Sequence, residues 1–105
     1  MVVNENRRIN FRRIAEIALC DAECIVRQWL PDGTRQGAEW MARNPKRNDR
    51  RLGSFKINLL NGAWADFATD VRGGDLISLA AYLGTLDQAE AARRVACMLG
   101  INPHE

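Results

Sequence analysis

The chain has 105 residues, enough for one domain and too few for a catalytic domain plus a regulatory one. Hydrophobic residues make up 47% and charged residues 27%, so it can bury a core, which excludes a disordered tail and a membrane protein. Lys and Arg number 15 against 13 Asp and Glu, and the net charge of +2 is unevenly placed.

Near its start, Asn4, Glu5, Arg7 and Arg8 interrupt any secretory leader pattern. The longest run without a charge or a turn residue, Leu76 to Leu83, is too short to cross a bilayer, so a cytoplasmic protein is expected. Asn10 fits a helix cap, and Phe11, Ile14, Ala15, Ala18, Ala22, Ile25 and Trp29 recur at helical steps. Asp21 inside that pattern predicts two helices with a break near Leu19 to Asp21. Pro31 ends the second, and Pro31, Asp32 and Gly33 make a turn.

Gly37 to Arg43, carrying Trp40, suits a strand. Asn44 to Gly53 holds proline, glycine, two asparagines and several basic residues, and reads as an exposed loop. Ser54 to Leu59 is the clearest strand, with Phe55, Ile57 and Leu59 on one face and Ser54, Lys56 and Asn58 on the other. Asn61 and Gly62 announce a hairpin into a third strand, Ala63 to Ala68.

Two registers compete for that hairpin. A two-residue loop pairs Leu59 with Trp64 and Ile57 with Asp66, which puts a carboxylate on the apolar face at a cost unless it is paired. A three-residue loop with a left-handed Gly62 pairs Phe55 with Phe67, Ile57 with Ala65 and Leu59 with Ala63, so that the apolar groups agree. The second is expected, and it turns Trp64 outward beside Lys56. Farther on, Gly73 and Gly74 lead to an Asp75 cap and a helix with Leu76, Leu79, Ala80 and Leu83, stopped by Gly84. Asp87 and Glu90 have capping-box spacing before a last helix of Ala92, Val95, Ala96 and Leu99, closed by Gly100.

Catalytic inventory is thin. The lone histidine, His104, is next to the last residue, Glu105, and the acids sit at caps or beside basic residues, so no enzyme is expected. Cys20, Cys24 and Cys97 are odd in number and lie in helical segments, which predicts buried reduced thiols rather than disulfides or a zinc site, and no metal or other cofactor is expected. Gly73 and Gly74 lack a following Walker lysine, so a phosphate loop is disfavoured against a plain helix entry. Between Arg35 and Lys56 seven Lys or Arg stand against Glu39 and Asp49. Arg43, Lys46, Arg47, Arg50, Arg51, Lys56 and Arg72 can supply charge to phosphates and Trp64 a stacking surface, the combination that binds single strands. The same residues also suit a solvated loop packed over an indole.

From Leu30 to Gly100 the order of short motifs resembles the zinc-ribbon domain at the start of bacterial and phage DNA primases. It is more similar still to metal-free variants in primase- and helicase-associated proteins of phages, plasmids and integrated elements. The residues that carry the likeness are Asn44-Pro45, Gly53-Ser54-Phe55, Gly62-Ala63-Trp64, Asp66-Phe67-Ala68 and Gly73-Gly74-Asp75-Leu76-Ile77, with the Leu30-Pro31-Asp32-Gly33 turn and Glu90-Ala91-Ala92. Where zinc-bearing members place their ligands this chain has Asn44, Arg47, Asp66 and Thr69, allowing one extra residue before Gly73, and none makes a thiolate site. Zinc contributes folding free energy in small ribbons, and a hairpin core of Phe55, Ile57, Ala65 and Phe67 is the expected substitute.

The resemblance implies template-strand recognition beside a polymerase, without polymerase activity. The expectation is an α+β domain over residues 1–105, with an antiparallel sheet of about three strands and helices from both ends packed on one face. Its expected role is single-stranded DNA binding in replication or priming of a mobile element, and about four neutralised phosphates would give a log–log salt slope near 3, at roughly 0.7 each. The alternative is a module that docks on a primase, helicase or polymerase subunit.

Overall fold

The structure, a computed structural model, describes residues 8–46 and 53–105. The chain is α+β, running α1 (Phe11–Leu19), α2 (Ala22–Trp29), β1 (Thr34–Gln36), β2 (Glu39–Ala42), β3 (Phe55–Asn58), β4 (Trp64–Asp66), β5 (Val71–Gly73), α3 (Leu76–Gly84) and α4 (Gln88–Leu99). The five described strands form one antiparallel meander in chain order, two more than expected. Both extra strands are edges. Thr34, Arg35 and Gln36 are all exposed, and β1 is held by its pairing to β2. The β5 strand ends on Gly73 and pairs with β4.

Local chemistry sets the helix ends. The Asn10 side chain accepts from Arg13 N at 3.1 Å, and the Asn10 amide donates to Pro103 O at 2.8 Å, which ties the chain's last residues to the start of α1. Asp75 and Ser78 form a reciprocal capping box on α3. Asp87 caps α4 by accepting from Glu90 N at 2.7 Å, while the Glu90 carboxylate turns to Arg93 and Arg94 instead of closing a box. The α3 helix runs through Gly84 and is terminated by Thr85 in the left-handed region. Gly100 ends α4 in that same conformation.

One core joins the inner face of the sheet to all four helices. Trp40, Phe55, Ile57 and Trp64 meet Ile14 and Ala18 of α1, Ile25 and Val26 of α2, Leu76, Ile77 and Leu79 of α3, and Ala92, Val95 and Ala96 of α4. Trp40, whose face the sequence left unassigned, lies inside and donates its indole N–H to Leu30 O at 3.1 Å. All three cysteines are free and exposed, against the expectation of burial.

The hairpin between β3 and β4 departs from both expected registers. Ile57 pairs with Trp64 and Phe55 with Asp66, one residue away from the expected partners. The connection is Leu59 to Gly62: Gly62 N donates to Asn58 O at 2.8 Å, and Asn58 N to Ala63 O at 2.7 Å. Asn58 Oδ1 accepts from Leu60 N and Asn61 N, which stabilises the longer turn, and Gly62 takes the expected left-handed conformation. A slip of one residue exchanges the two faces of a strand. Trp64 and Asp66 therefore point inward, while Ala65 and Phe67 do not.

Burying Asp66 is tolerable because it is satisfied. Its carboxylate is fully buried, accepting from Asn44 Nδ2 at 2.8 Å and from Ala68 N at 3.0 Å. Asn44 is only 1% exposed, although the sequence placed it in an open loop, and its Nδ2 also donates to the Tyr82 hydroxyl at 2.7 Å.

Candidate nucleic-acid interface

The helices cover one side of the sheet and leave the other open. Across that open side the register aligns Thr34, Met41, Lys56, Ala65 and Arg72 in one row, with Glu39 opposite Asn58 in the next. Phe67 follows β4, bonded through its amide to Ser54 O at 2.8 Å. Immediately after it the chain turns: Asp70 N donates to Asp66 O at 2.8 Å, and Asp70 adopts the left-handed region. That turn leaves Phe67 on a corner, 69% exposed, with Lys56 Nζ 5.8 Å from its ring centroid. Lys56, Ala65, Phe67 and Arg72 line a shallow concavity of about 310 Å³ that reaches Glu39 and Asn58.

Lys56 and Arg72 flank Ala65 from neighbouring strands, and neither has an ion-pair partner among the described residues. Most other described cations are engaged. Arg12 pairs with Glu16, Arg27 and Arg35 with Glu23, and Arg93 and Arg94 with Glu90. Arg13 donates to Asn102 O. Hydrogen bonds from Arg27 and Arg35 hold the Glu23 carboxyl below its ordinary range, and Arg94 then Arg93 do the same for Glu90.

The expected site residues separate into groups. Lys56 and Arg72 meet on the open face. Trp64, expected to stack on a base, is 4% exposed and belongs to the core. Its indole N–H donates to Ser78 Oγ at 2.9 Å, and its ring lies 5.1 Å from that of Tyr82 and 6.0 Å from that of Phe55. The register shift is the physical reason. Lys46 stands apart from that face: its ammonium donates to Tyr82 O at 2.8 Å and Thr85 Oγ1 at 2.6 Å, and sits over the Tyr82 ring. It is a cation at the carbonyl end of α3, a favourable place for positive charge. Arg43 is exposed, bordering a separate cleft with Trp29, Pro31 and Pro45. Arg47, Arg50 and Arg51 lie outside the described residues.

The chain matches no family model, no curated protein and no solved structure. Its site is therefore read from its own geometry. Phe67 is the aromatic that sequence reasoning missed, having been assigned to the core opposite Phe55. The available signal was Asp66: an inward carboxylate with an amide partner at Asn44 reverses every side chain from Trp64 to Phe67. Among the described residues no three His, Cys, Asp or Glu side chains converge as metal ligands, and no helix is long and apolar enough to cross a membrane. A second cleft, about 330 Å³ and mainly apolar, lies between Trp29, Pro45, Ala80, Leu83 and Gly84.

Proposed function

We propose that this chain is a non-catalytic, single-stranded DNA-binding domain that acts in replication or priming of a mobile element. The observation that carries the strand-binding part is an exposed aromatic, Phe67, beside the cations Lys56 and Arg72, which have no ion-pair partner among the described residues, on the sheet face that the helices leave open. Single strands are held by such a pairing, with bases stacking on the ring and phosphates meeting the cations. The resemblance to primase zinc ribbons supports DNA and priming. In keeping with it, Asn44 and Asp66, two of the four positions where that family places zinc ligands, are joined here by a direct hydrogen bond. The apolar cleft beside Trp29 favours a second reading, docking onto a primase, helicase or polymerase subunit.

The test is a fluorescence-anisotropy titration of the whole chain with single- and double-stranded octamers. Phe67→Ala is expected to weaken single-strand binding about fivefold to 150-fold, the range for loss of one stacked base. Replacing Lys56 and Arg72 together by alanine should lower the log–log salt slope by about 1.4, at roughly 0.7 per contact. Absence of single-strand binding by the unaltered chain at low salt refutes the reading and leaves docking.

A further inference from the structure

Resting on that reading, we infer that the concavity beside Phe67 prefers guanine in the bound strand, recognised by Glu39 and Asn58. Phe67, Ala65 and Ala63 follow one another along the open side of β4 and its approach. At about 3.3 Å per residue they span about 13 Å, room for one base on the ring and a second on the alanine floor. That floor ends at Asn58, bonded to Ala63 across the hairpin, and at Glu39, the cross-strand partner of Asn58.

Glu39 and Asn58 present a defined pattern. Leu59 N donates to Ala38 O at 2.8 Å, which makes the adjacent Glu39–Asn58 pair a non-hydrogen-bonded one, with Cα atoms about 4.5 Å apart and side chains close. Asn58 Oδ1 is occupied by Leu60 N and Asn61 N, so the amide orientation is fixed and Nδ2 is left to donate. No described residue forms an ion pair or hydrogen bond with the Glu39 carboxylate, which leaves two acceptors beside one donor.

A carboxylate attracts the neighbouring cations but repels phosphate, so within a strand-binding face Glu39 opposes the backbone and favours binding only where a base edge meets it. The Watson–Crick edge of guanine carries two adjacent donors, N1–H and N2–H, next to the O6 acceptor. It complements both carboxylate oxygens and the amide donor together. Adenine and cytosine offer one exocyclic donor beside a ring acceptor, and thymine offers N3–H between two carbonyls. Each leaves one carboxylate oxygen without a base donor.

The experiment compares d(TG)4, inosine-containing d(TI)4, d(TA)4, d(TC)4 and dT8 by anisotropy on the whole chain. Expected is d(TG)4 binding about fivefold or more tighter than dT8, as for a bidentate base contact, with most of the gain lost in d(TI)4, which lacks the N2 amine. Glu39→Gln, on the surface and checked for folding by circular dichroism, should bring the d(TG)4 to dT8 ratio close to one. Measurable dT8 binding with d(TG)4 no tighter overturns the guanine inference while strand binding stands, and so does an undiminished ratio in Glu39→Gln or in d(TI)4. If no octamer binds, the strand-binding reading falls and this inference with it.

Discussion

Trp64 and Phe67 are three residues apart, and their truncations should have opposite consequences for folding. Trp64 is 4% exposed, in contact with Phe55 and Tyr82 and bonded to Ser78 Oγ. Replacing a core tryptophan by alanine costs about 3–5 kcal/mol, through lost transfer free energy and the cavity left behind. Domains of this size are stable by about 5–15 kcal/mol, so Trp64→Ala consumes a large part of the total. With a urea m-value of about 2 kcal/mol/M the midpoint falls by about 1.5–2.5 M. Phe67, at 69% exposure, leaves no comparable cavity, and Phe67→Ala should stay within about 0.5 kcal/mol, a midpoint change near 0.25 M. Urea titrations of both variants, followed by far-ultraviolet circular dichroism, supply the comparison. Equal midpoints for the two, or a larger loss in Phe67→Ala, would refute the register and with it the assignment of the open face.

Neighbouring glycines make a second contrast. A Cβ at Gly73 would sit 2.5 Å from Trp64 Nε1 and closer still to Ser78 Oγ, whereas one at Gly74 meets nothing within 4 Å. Gly73→Ala should cost about 1–3 kcal/mol and lower the melting temperature by at least about 4 °C, while Gly74→Ala should be neutral or slightly stabilising. Lys46→Met removes the cation from the end of α3 and should cost about 1 kcal/mol by urea titration with oligonucleotide affinity retained. The Glu23 carboxyl is held below its ordinary 4.5 by Arg27 and Arg35, so its contribution is present above that value and is lost as pH falls through its lowered folded pKa. Glu23→Gln should therefore be less stable than the parent at pH 7, with the difference shrinking as pH falls below 4.5, measured as urea midpoints across that acid range.

The helices were legible because their signals are local. Asn10, Asp75 and Asp87 cap where the sequence places them, and the break before Ala22 follows from the polar residue inside an apolar periodicity. β1 and β5 were not legible: three polar residues in one case, and Val-Arg-Gly in the other, carry no alternation, and each is defined by backbone pairing to a neighbour. The register failed on a single valuation. An inward carboxylate looked costly beside a clean set of apolar pairs, yet its partner, Asn44, lay 22 residues away in a segment read as open loop. From that one residue followed the exchange of Trp64 for Phe67 at the candidate site. Lys56 and Arg72 kept their places because Lys56 belongs to the strand with the strongest alternation and Arg72 stands opposite Ala65.

Ser78 has a position that binds two regions into one cooperative unit. Its hydroxyl accepts from the Trp64 indole, donates to Asp75 O at 2.8 Å and completes the reciprocal bond to the Asp75 amide. The first turn of α3 and the inner side of β4 consequently share an atom as well as a boundary. Fraying of that turn releases the indole, and withdrawal of the indole deprives the turn of its anchor. The far edge of the meander, β1, is tied to α2 by the solvent-exposed Arg35–Glu23 ion pair rather than by a buried hydroxyl, and such pairs hold weakly, so local opening can begin there while the half of the sheet that carries Phe67 and Arg72 stays closed.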